Sequence, residues 1–368
     1  NRPILDYIVE ALVQNGIKDI IMVVGYRKDT ILSHFEDGRR FGARIMYVAQ
    51  DKQLGTAHAL SLAARHLTGE DFLTVAGDNL IDAQLVADLL AKRKGPSMVV
   101  TESEIPAKYG VVQIIDGRIN NIIEKPEVRV GNIINTGVYY FKSGILDLFL
   151  EQKFDMELGI TQVLAPVISR LDFTAVKTKG KWIDAVYPWD LPNINSSALE
   201  FHGQGINGTV ENGDTIKGPV SIGKGSRIRS SSYIEGPVAI GEACDIGPNV
   251  TIMSSTSIGN GVIIEPYTYI NNCLIMSSVR IGSHSHVSHS VLDDGVKVGP
   301  GLSAPTGRSQ AVVDREVFRL SDTGALIGQD AIIGSRVVIS PGRVVGAGCQ
   351  IEDGVRVSGN LQNQSVVV

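Results

Sequence analysis

Residues 216–265 read IKGPVSIGKGSRIRSSSYIEGPVAIGEACDIGPNVTIMSSTSIGNGVIIE. Stepping by six from Val210 lands on Ile216, Ile222, Ile228, Ile234, Ile240, Ile246, Ile252, Ile258, Ile264 and Ile270. After a slip of one residue the beat resumes at Ile275, Ile281 and Val287, and it returns from Ile327 through Ile333, Ile339, Val345 and Ile351 to Val357. Neither the 3.6-residue period of a helix nor the 2-residue period of a strand gives this spacing. A period of six means one short strand and one turn per repeat. Three repeats close a triangular coil whose aliphatic residues point inward, and stacked coils share one core. Gly often follows the aliphatic residue (Gly223, Gly241, Gly247, Gly259), where it would permit the backbone conformations that corners need. The beat fails between Gly299 and Thr323, GPGLSAPTGRSQAVVDREVFRLSDT, which reads as a loop or hairpin leaving the solenoid.

Working outward, the chain has 368 residues, more than one ordinary core accommodates. The expected division is an α/β domain over residues 1–200 and the β-helix over 201–368, with the excursion near 299–323. Hydrophobic residues make up 43% and charged residues 20%, as in soluble globular proteins. A net charge of -5 offers no basic field for nucleic acid. No apolar run reaches the roughly 20 residues of a membrane span, and no leader peptide is visible. The cysteines, Cys244, Cys273 and Cys349, are three and far apart, which argues against a disulfide framework or zinc site and fits the cytoplasm. Each reads as a small buried hydrophobe.

Residues 1–200 alternate helix and strand. Helices are expected over 4–14, 28–35, 56–66 and 82–92, and strands over 19–24, 44–49 and 71–76, around a mostly parallel sheet. Ligands of such folds sit at the carboxyl ends of strands. Two motifs fall there: QDKQLGTAHAL (50–60) and VAGDN (75–79). Gly55-Thr56 opens a helix, so its backbone N–H groups could approach a base or phosphate. The plainer reading is a tight helix start with Thr56 as cap. His58, on the same helix, reads as structural. Asp78 ends a strand, where binding a metal that holds phosphate is one reason for a carboxylate and capping the 82–92 helix is another. Further on, KYGVVQIIDGRINNIIEKPE (108–127) has a hairpin turn at Asp116-Gly117. Glu124-Lys125 ends its second strand, where a surface ion pair is the plain reading. In GKWIDAVYPWDL (180–191), Trp182 and Asp184 share a strand face, and Asp184 is a candidate second metal carboxylate.

Taken in order, Q-x(3)-LGTAHA, GDN, YGVV, EKP, NTG and W-x-D-x-x-x-PWD resemble the sugar-1-phosphate nucleotidylyltransferases over essentially the whole chain. The plan is most similar to the archaeal long form, in which that domain precedes a left-handed β-helix, as in the bifunctional N-acetylglucosamine-1-phosphate uridylyltransferase/glucosamine-1-phosphate acetyltransferase. The fold expected is therefore an α/β Rossmann-like nucleotidyltransferase domain followed by a left-handed parallel β-helix. The resemblance implies that Gln50, Gly55 and Thr56 hold a pyrimidine base, and that Asp78 and Asp184 hold Mg²⁺. Gly110, Glu124, Asn135 and Thr136 would contact the sugar, with Lys125 near its phosphate. The implied reaction joins UTP or dTTP to a hexose- or hexosamine-1-phosphate and releases pyrophosphate. A trimer-based homo-oligomer is the implied assembly.

Two departures stand out. The family's Gly-rich loop, G-x-G-T-R-L-x-P followed by Lys-Pro, is absent, and Asn1-Arg2-Pro3 lines up just after it. The expectation is a chain lacking that segment and, as written, weakly active or inactive. In the β-helix, SHSHVSHSVL (283–292) supplies His284, His286 and His289, and His286 fits the acetyltransferase motif best. Acetyl-CoA would be needed only if that site works. Met253 and Asn271 stand where the motif has Arg and Lys, and LSDTG precedes ALIG where a basic run is expected. Two other readings compete: a catalytically silent regulatory or scaffold subunit of the same fold, and an acyltransferase whose N-terminal domain only binds sugar.

Overall fold

The computed structural model describes residues 1–67, 69–313 and 316–368. It comprises two compact units, residues 2–184 and residues 185–368 together with Asn1. The boundary follows Asp184, so residues 185–200 pack with the β-helix: Asn195 Nδ2 on the helix Leu191–Leu199 donates to Ser255 O at 2.9 Å.

The first unit is an α/β, Rossmann-like domain. In chain order it holds α1 (Ile4–Gln14), β1 (Asp19–Val24), α2 (Lys28–Phe35), β2 (Arg44–Ala49), α3 (Gly55–Ala64), β3 (Phe72–Thr74), β4 (Asn79–Ile81) and α4 (Ala83–Leu90). Strands β5 (Ser97–Glu102), β6 (Gly110–Ile115), β7 (Arg118–Glu124), β8 (Ile133–Phe141), β9 (Thr174–Lys177) and β10 (Trp182–Asp184) follow. The helix of α1 forms because Ile8, Val9, Ala11 and Leu12 recur on one face, which is buried. The pairing is less parallel than the alternation suggested. β1–β2 is parallel, but the main sheet, ordered β3-β8-β5-β9-β7-β6, has only β5–β9 parallel. One antiparallel pair has a local cause: Asp116 and Gly117 both adopt left-handed φ (48° and 78°), the backbone of a tight two-residue hairpin, so β6 and β7 must run antiparallel. The antiparallel pairs β3–β8, β5–β8 and β7–β9 join strands far apart in the chain.

The second unit is a parallel β-helix. Three ladders of eight, nine and eight short strands stack along it. Register follows the beat; Ile216, Ile234, Ile252, Ile270 and Val287 pair in one ladder. These side chains merge with those of the other two ladders into one core that includes all three cysteines. The beat continues past Val287 through Leu292, Val298 and Ala304, all in the core, and Ser303–Ala304 still pairs on both sides. The chain therefore leaves the coils only after Ala304. Strands Gly307–Val313 and Glu316–Thr323 form an antiparallel ribbon before the coils resume at Leu326–Ile327.

The glycines that follow the aliphatic beat have a different cause from the one expected. Gly223 and Gly241 do not have positive φ. A Cβ on either would lie 2.4 Å from the next coil, against Gly241 O and Asn260 Oδ1 respectively. Close stacking of coils, not corner conformation, excludes a side chain there. Left-handed φ occurs further along the turn, at Gly225 but also at Ala243 and Asn249.

Candidate active site

Asp78 lies exposed in the turn between β3 and β4, and Asp184 ends β10. β10 pairs antiparallel with β4, placing Asp184 opposite Asn79 and Trp182 opposite Ile81. Two carboxylates a hundred residues apart in sequence are thus brought to one edge. Asn79 is the link. Its side chain is 3% exposed; Nδ2 donates to Asp184 Oδ1 at 2.9 Å and to Asp78 Oδ1 at 3.3 Å, while Oδ1 accepts from Trp182 Nε1 at 3.0 Å. Asp78 does not cap the following helix. Asp82 does so, accepting from Leu85 N at 2.9 Å.

Two other motif segments reach this edge, through Tyr109 and through Gly137. Tyr109 meets the Trp182 ring edge-on, with centroids 5.8 Å apart. Beside Tyr109, Gly110 pairs with Glu124 across the hairpin, and a Cβ at Gly110 would lie 3.0 Å from Glu124 Oε2. Lys125 follows at φ 40°, its N–H donating to Tyr109 O at 3.1 Å. Glu124 and Lys125 are exposed.

Asn135-Thr136-Gly137 forms a bulge. Met98 pairs with Tyr139 and Val100 with Asn135, so β8 carries extra residues there. Gly137 turns through φ 76°, which a side chain would disfavour. Thr136 Oγ1 donates to Val99 O at 2.8 Å and accepts from Val138 N at 3.3 Å. Asn135 Oδ1 accepts from Gly137 N at 2.9 Å, and its Nδ2 donates to Tyr139 OH. Both side chains are buried, and both stabilise the bulge. Bulges next to active sites re-aim the chain; this one brings Gly137 against Ala76, two residues before Asp78.

At the GTAHA motif, Gln50 Nε2 donates to Gly55 O at 3.1 Å and lies 3.1 Å from His58 Nδ1. His58 also packs on Phe154. Thr56 is not the cap of α3; that position is Leu54. Instead Thr56 Oγ1 accepts from Ile160 N at 3.0 Å, while Ala57 N donates to Leu158 O. Gly55 (φ 87°) permits this, since a Cβ there would lie 2.3 Å from Leu158 O. The segment 158–161 also reaches the hairpin, with Thr161 Cγ2 placed 3.4 Å from a Cβ at Gly110. It joins the GTAHA and YGVV motifs, and no periodicity marked it in the sequence. The importance of Asn79 was hidden in the GDN motif, where only its neighbour drew notice.

His286 lies in the other unit. It is exposed, stacks on Tyr269 at 5.0 Å and places Nε2 3.2 Å from Ser288 Oγ. Asn271 pairs with Ser288 in the same ladder.

The chain thus joins an α/β domain, with two carboxylates at a strand edge, to a parallel β-helix, a plan that by itself fits more than one class of protein. The family comparison narrows it. The Nucleotidyl transferase family matches residues 1–197, and the chain belongs to it. The GMPPB C-terminal domain matches residues 234–305. The bifunctional protein GlmU of Methanococcus vannielii is 28% identical, over 100% of this chain and 90% of its own length. Glucose-1-phosphate thymidylyltransferase of Streptomyces antibioticus is 29% identical over 83% of this chain and 87% of its own. The low-salt glycan biosynthesis nucleotidyltransferase Agl11 of Haloferax volcanii is 28% identical over 87% and 92%. Among the described residues, no helix is long and apolar enough to cross a membrane.

Proposed function

We propose that the chain transfers a nucleotidyl group from UTP or dTTP to a hexose- or hexosamine-1-phosphate. A phosphate oxygen of the sugar-1-phosphate attacks the α-phosphorus, the bond from that phosphorus to the bridging oxygen breaks, and pyrophosphate leaves. The observation that carries this reading is the convergence of Asp78 and Asp184 on one buried amide. A silent scaffold has no need to hold two carboxylates together.

The donor set fits Mg²⁺, which binds through one or two carboxylates, keeps several waters and shares substrate phosphates. Asp78 and Asp184 would hold it, and when bound it supplies neutralisation of phosphate charge. The chain's own groups do the positioning. Gln50, Gly55 and Thr56 take the base; Gly110, Glu124, Asn135 and Thr136 take the sugar; Lys125 takes its phosphate. The bulge and the 158–161 segment hold these groups in place before substrate arrives. We place the enzyme in the cytoplasm as a trimer-based homo-oligomer. Its three free, buried cysteines suit a reducing compartment.

The test is pyrophosphate release by the intact gene product, given UTP or dTTP with each sugar-1-phosphate. Release that depends on Mg²⁺ and falls about a hundredfold or more in Asp184→Asn supports the reading. Release that is unchanged in that variant removes Asp184 from the site. Acetyl transfer by His286 from acetyl-CoA is a second reading, favoured by the exposure of His286 and its contact with Ser288 Oγ. Neutral Asn271 and Met253, standing where cations would hold a sugar phosphate, weigh against it. Loss of acetyl-CoA consumption in His286→Ala would support it.

A further inference from the structure

The ribbon that interrupts the β-helix is not needed to continue the coils. Ala304 and Ile327 keep the core unbroken on either side of it. What it adds is an open cleft of about 720 Å³. Arg308 and Arg319 of the ribbon and Arg343 of a coil corner line this cleft, with Ser309, Gln310 and Ser321 as neutral hydrogen-bonding neighbours and no acidic residue.

The cleft is built rather than incidental. Ser309 Oγ and Thr323 Oγ1 are 2.6 Å apart and pin the base of the ribbon. A Cβ at Gly342 would lie 2.2 Å from Ser309 Oγ, so only glycine lets the corner seat that base. The Arg343 guanidinium donates to Gln310 O at 3.3 Å and to Pro341 O at 3.4 Å, which ties corner to ribbon.

Arg227, Arg229 and Arg280, which face outward elsewhere on the coils, each have a carboxylate within 2.7 Å. Among the described residues, none of the three cleft arginines forms an ion pair. Asp322 of the ribbon acts electrostatically on His289 and does not line the cleft. Three guanidinium charges lining one concavity with no carboxylate among them give it a positive potential that attracts anions. Guanidinium forks match phosphate oxygens two at a time.

We infer that this cleft binds a small molecule carrying two or more phosphate groups, at a site distinct from the Asp78–Asp184 edge. The probes are inorganic pyrophosphate and UDP, titrated calorimetrically into the intact chain with divalent metal chelated. Saturable binding is expected, about tenfold or more weaker in Arg308→Gln/Arg319→Gln, and less weakened in Arg319→Lys, which keeps charge but loses the fork. UDP binding more tightly than pyrophosphate would identify a nucleotide ligand, and equal binding would identify the phosphate groups alone; both support the site. Protection of Arg319 from phenylglyoxal by pyrophosphate, read by peptide mass, gives the same answer without any variant. Equal affinity in the double variant, or no protection of Arg319, would overturn the inference.

Discussion

The two units use their buried groups differently. In the β-helix, burial is repetitive: in most repeats an aliphatic residue and a second, smaller residue two positions before it turn inward. The second is Val, Cys or Ala in some repeats and a hydrogen-bonded Ser in others (Ser226, Ser232, Ser285), and each coil repeats this plan. In the α/β unit, the buried polar groups near the candidate site follow no repeat; each has its own set of partners. Asn79 bonds Asp78, Asp184 and Trp182 at the β4–β10 edge, while Asn135 and Thr136 bond within the β8 bulge and to Val99. A repeated core distributes stability over many equivalent residues. A polar cluster concentrates function in a few, because an unsatisfied buried donor or acceptor costs about 1–3 kcal/mol and shifts its neighbours. The lesson is that mutations in the first region should cost stability, and those in the second should cost activity.

The largest effect expected is in the polar cluster. Asn79→Ala removes the common donor to Asp78 and Asp184 and orphans Trp182 Nε1. Pyrophosphate release should drop about a hundredfold, with melting lowered by only the cost of one orphaned donor. A variant that loses stability in proportion to rate would break the contrast. Next, Ile252→Ala in the fully buried solenoid core should cost about 2–5 kcal/mol in denaturant unfolding and leave the rate per folded molecule unchanged. Gly55→Ala meets Leu158 O and a φ of 87°, strain of about 1–3 kcal/mol. It should raise KM for the nucleotide more than it lowers kcat, because it displaces the GTAHA turn from the 158–161 segment.

The smallest effect belongs to His289. Burial holds its pKa below the ordinary 6.5, with Asp322 opposing the shift. The unfolded chain therefore takes up this proton before the folded one does. β-Helix stability is full above the unfolded value and declines as pH falls below it. His289→Gln should flatten the melting temperature between about pH 5 and 7, where histidine titrates. An unchanged pH slope would assign it to other groups.

The two regions were also unequally legible in the sequence. A strict six-residue beat has one structural solution, so the β-helix could be read residue by residue to Val287. The slip before Ile275 was readable; the beat was lost at the second shortening to five, between Val287 and Leu292, and where Ala304 replaced a larger aliphatic. α1, β1, α2 and β2 were readable to their ends, because each has a single apolar face or run and clear flanking turns. Strand direction was readable at the Asp116-Gly117 hairpin and not across the rest of the sheet. It depends on which strands meet in space, and the β10–β4 pairing joins segments a hundred residues apart. The carboxylates were legible as residue types in motifs. The amide that joins them was not, since its role exists only once that pairing forms.

The central claim, that Asp78 and Asp184 make one metal site at the β4–β10 edge, is tested most directly without turnover. Mn²⁺, used in place of Mg²⁺, can be titrated into the intact chain and the free ion followed by electron paramagnetic resonance. The account predicts one site whose affinity falls at least about tenfold in Asp184→Asn and again in Asp78→Asn, where each variant loses a charged ligand. Mn²⁺ binding that is indifferent to both substitutions would contradict it.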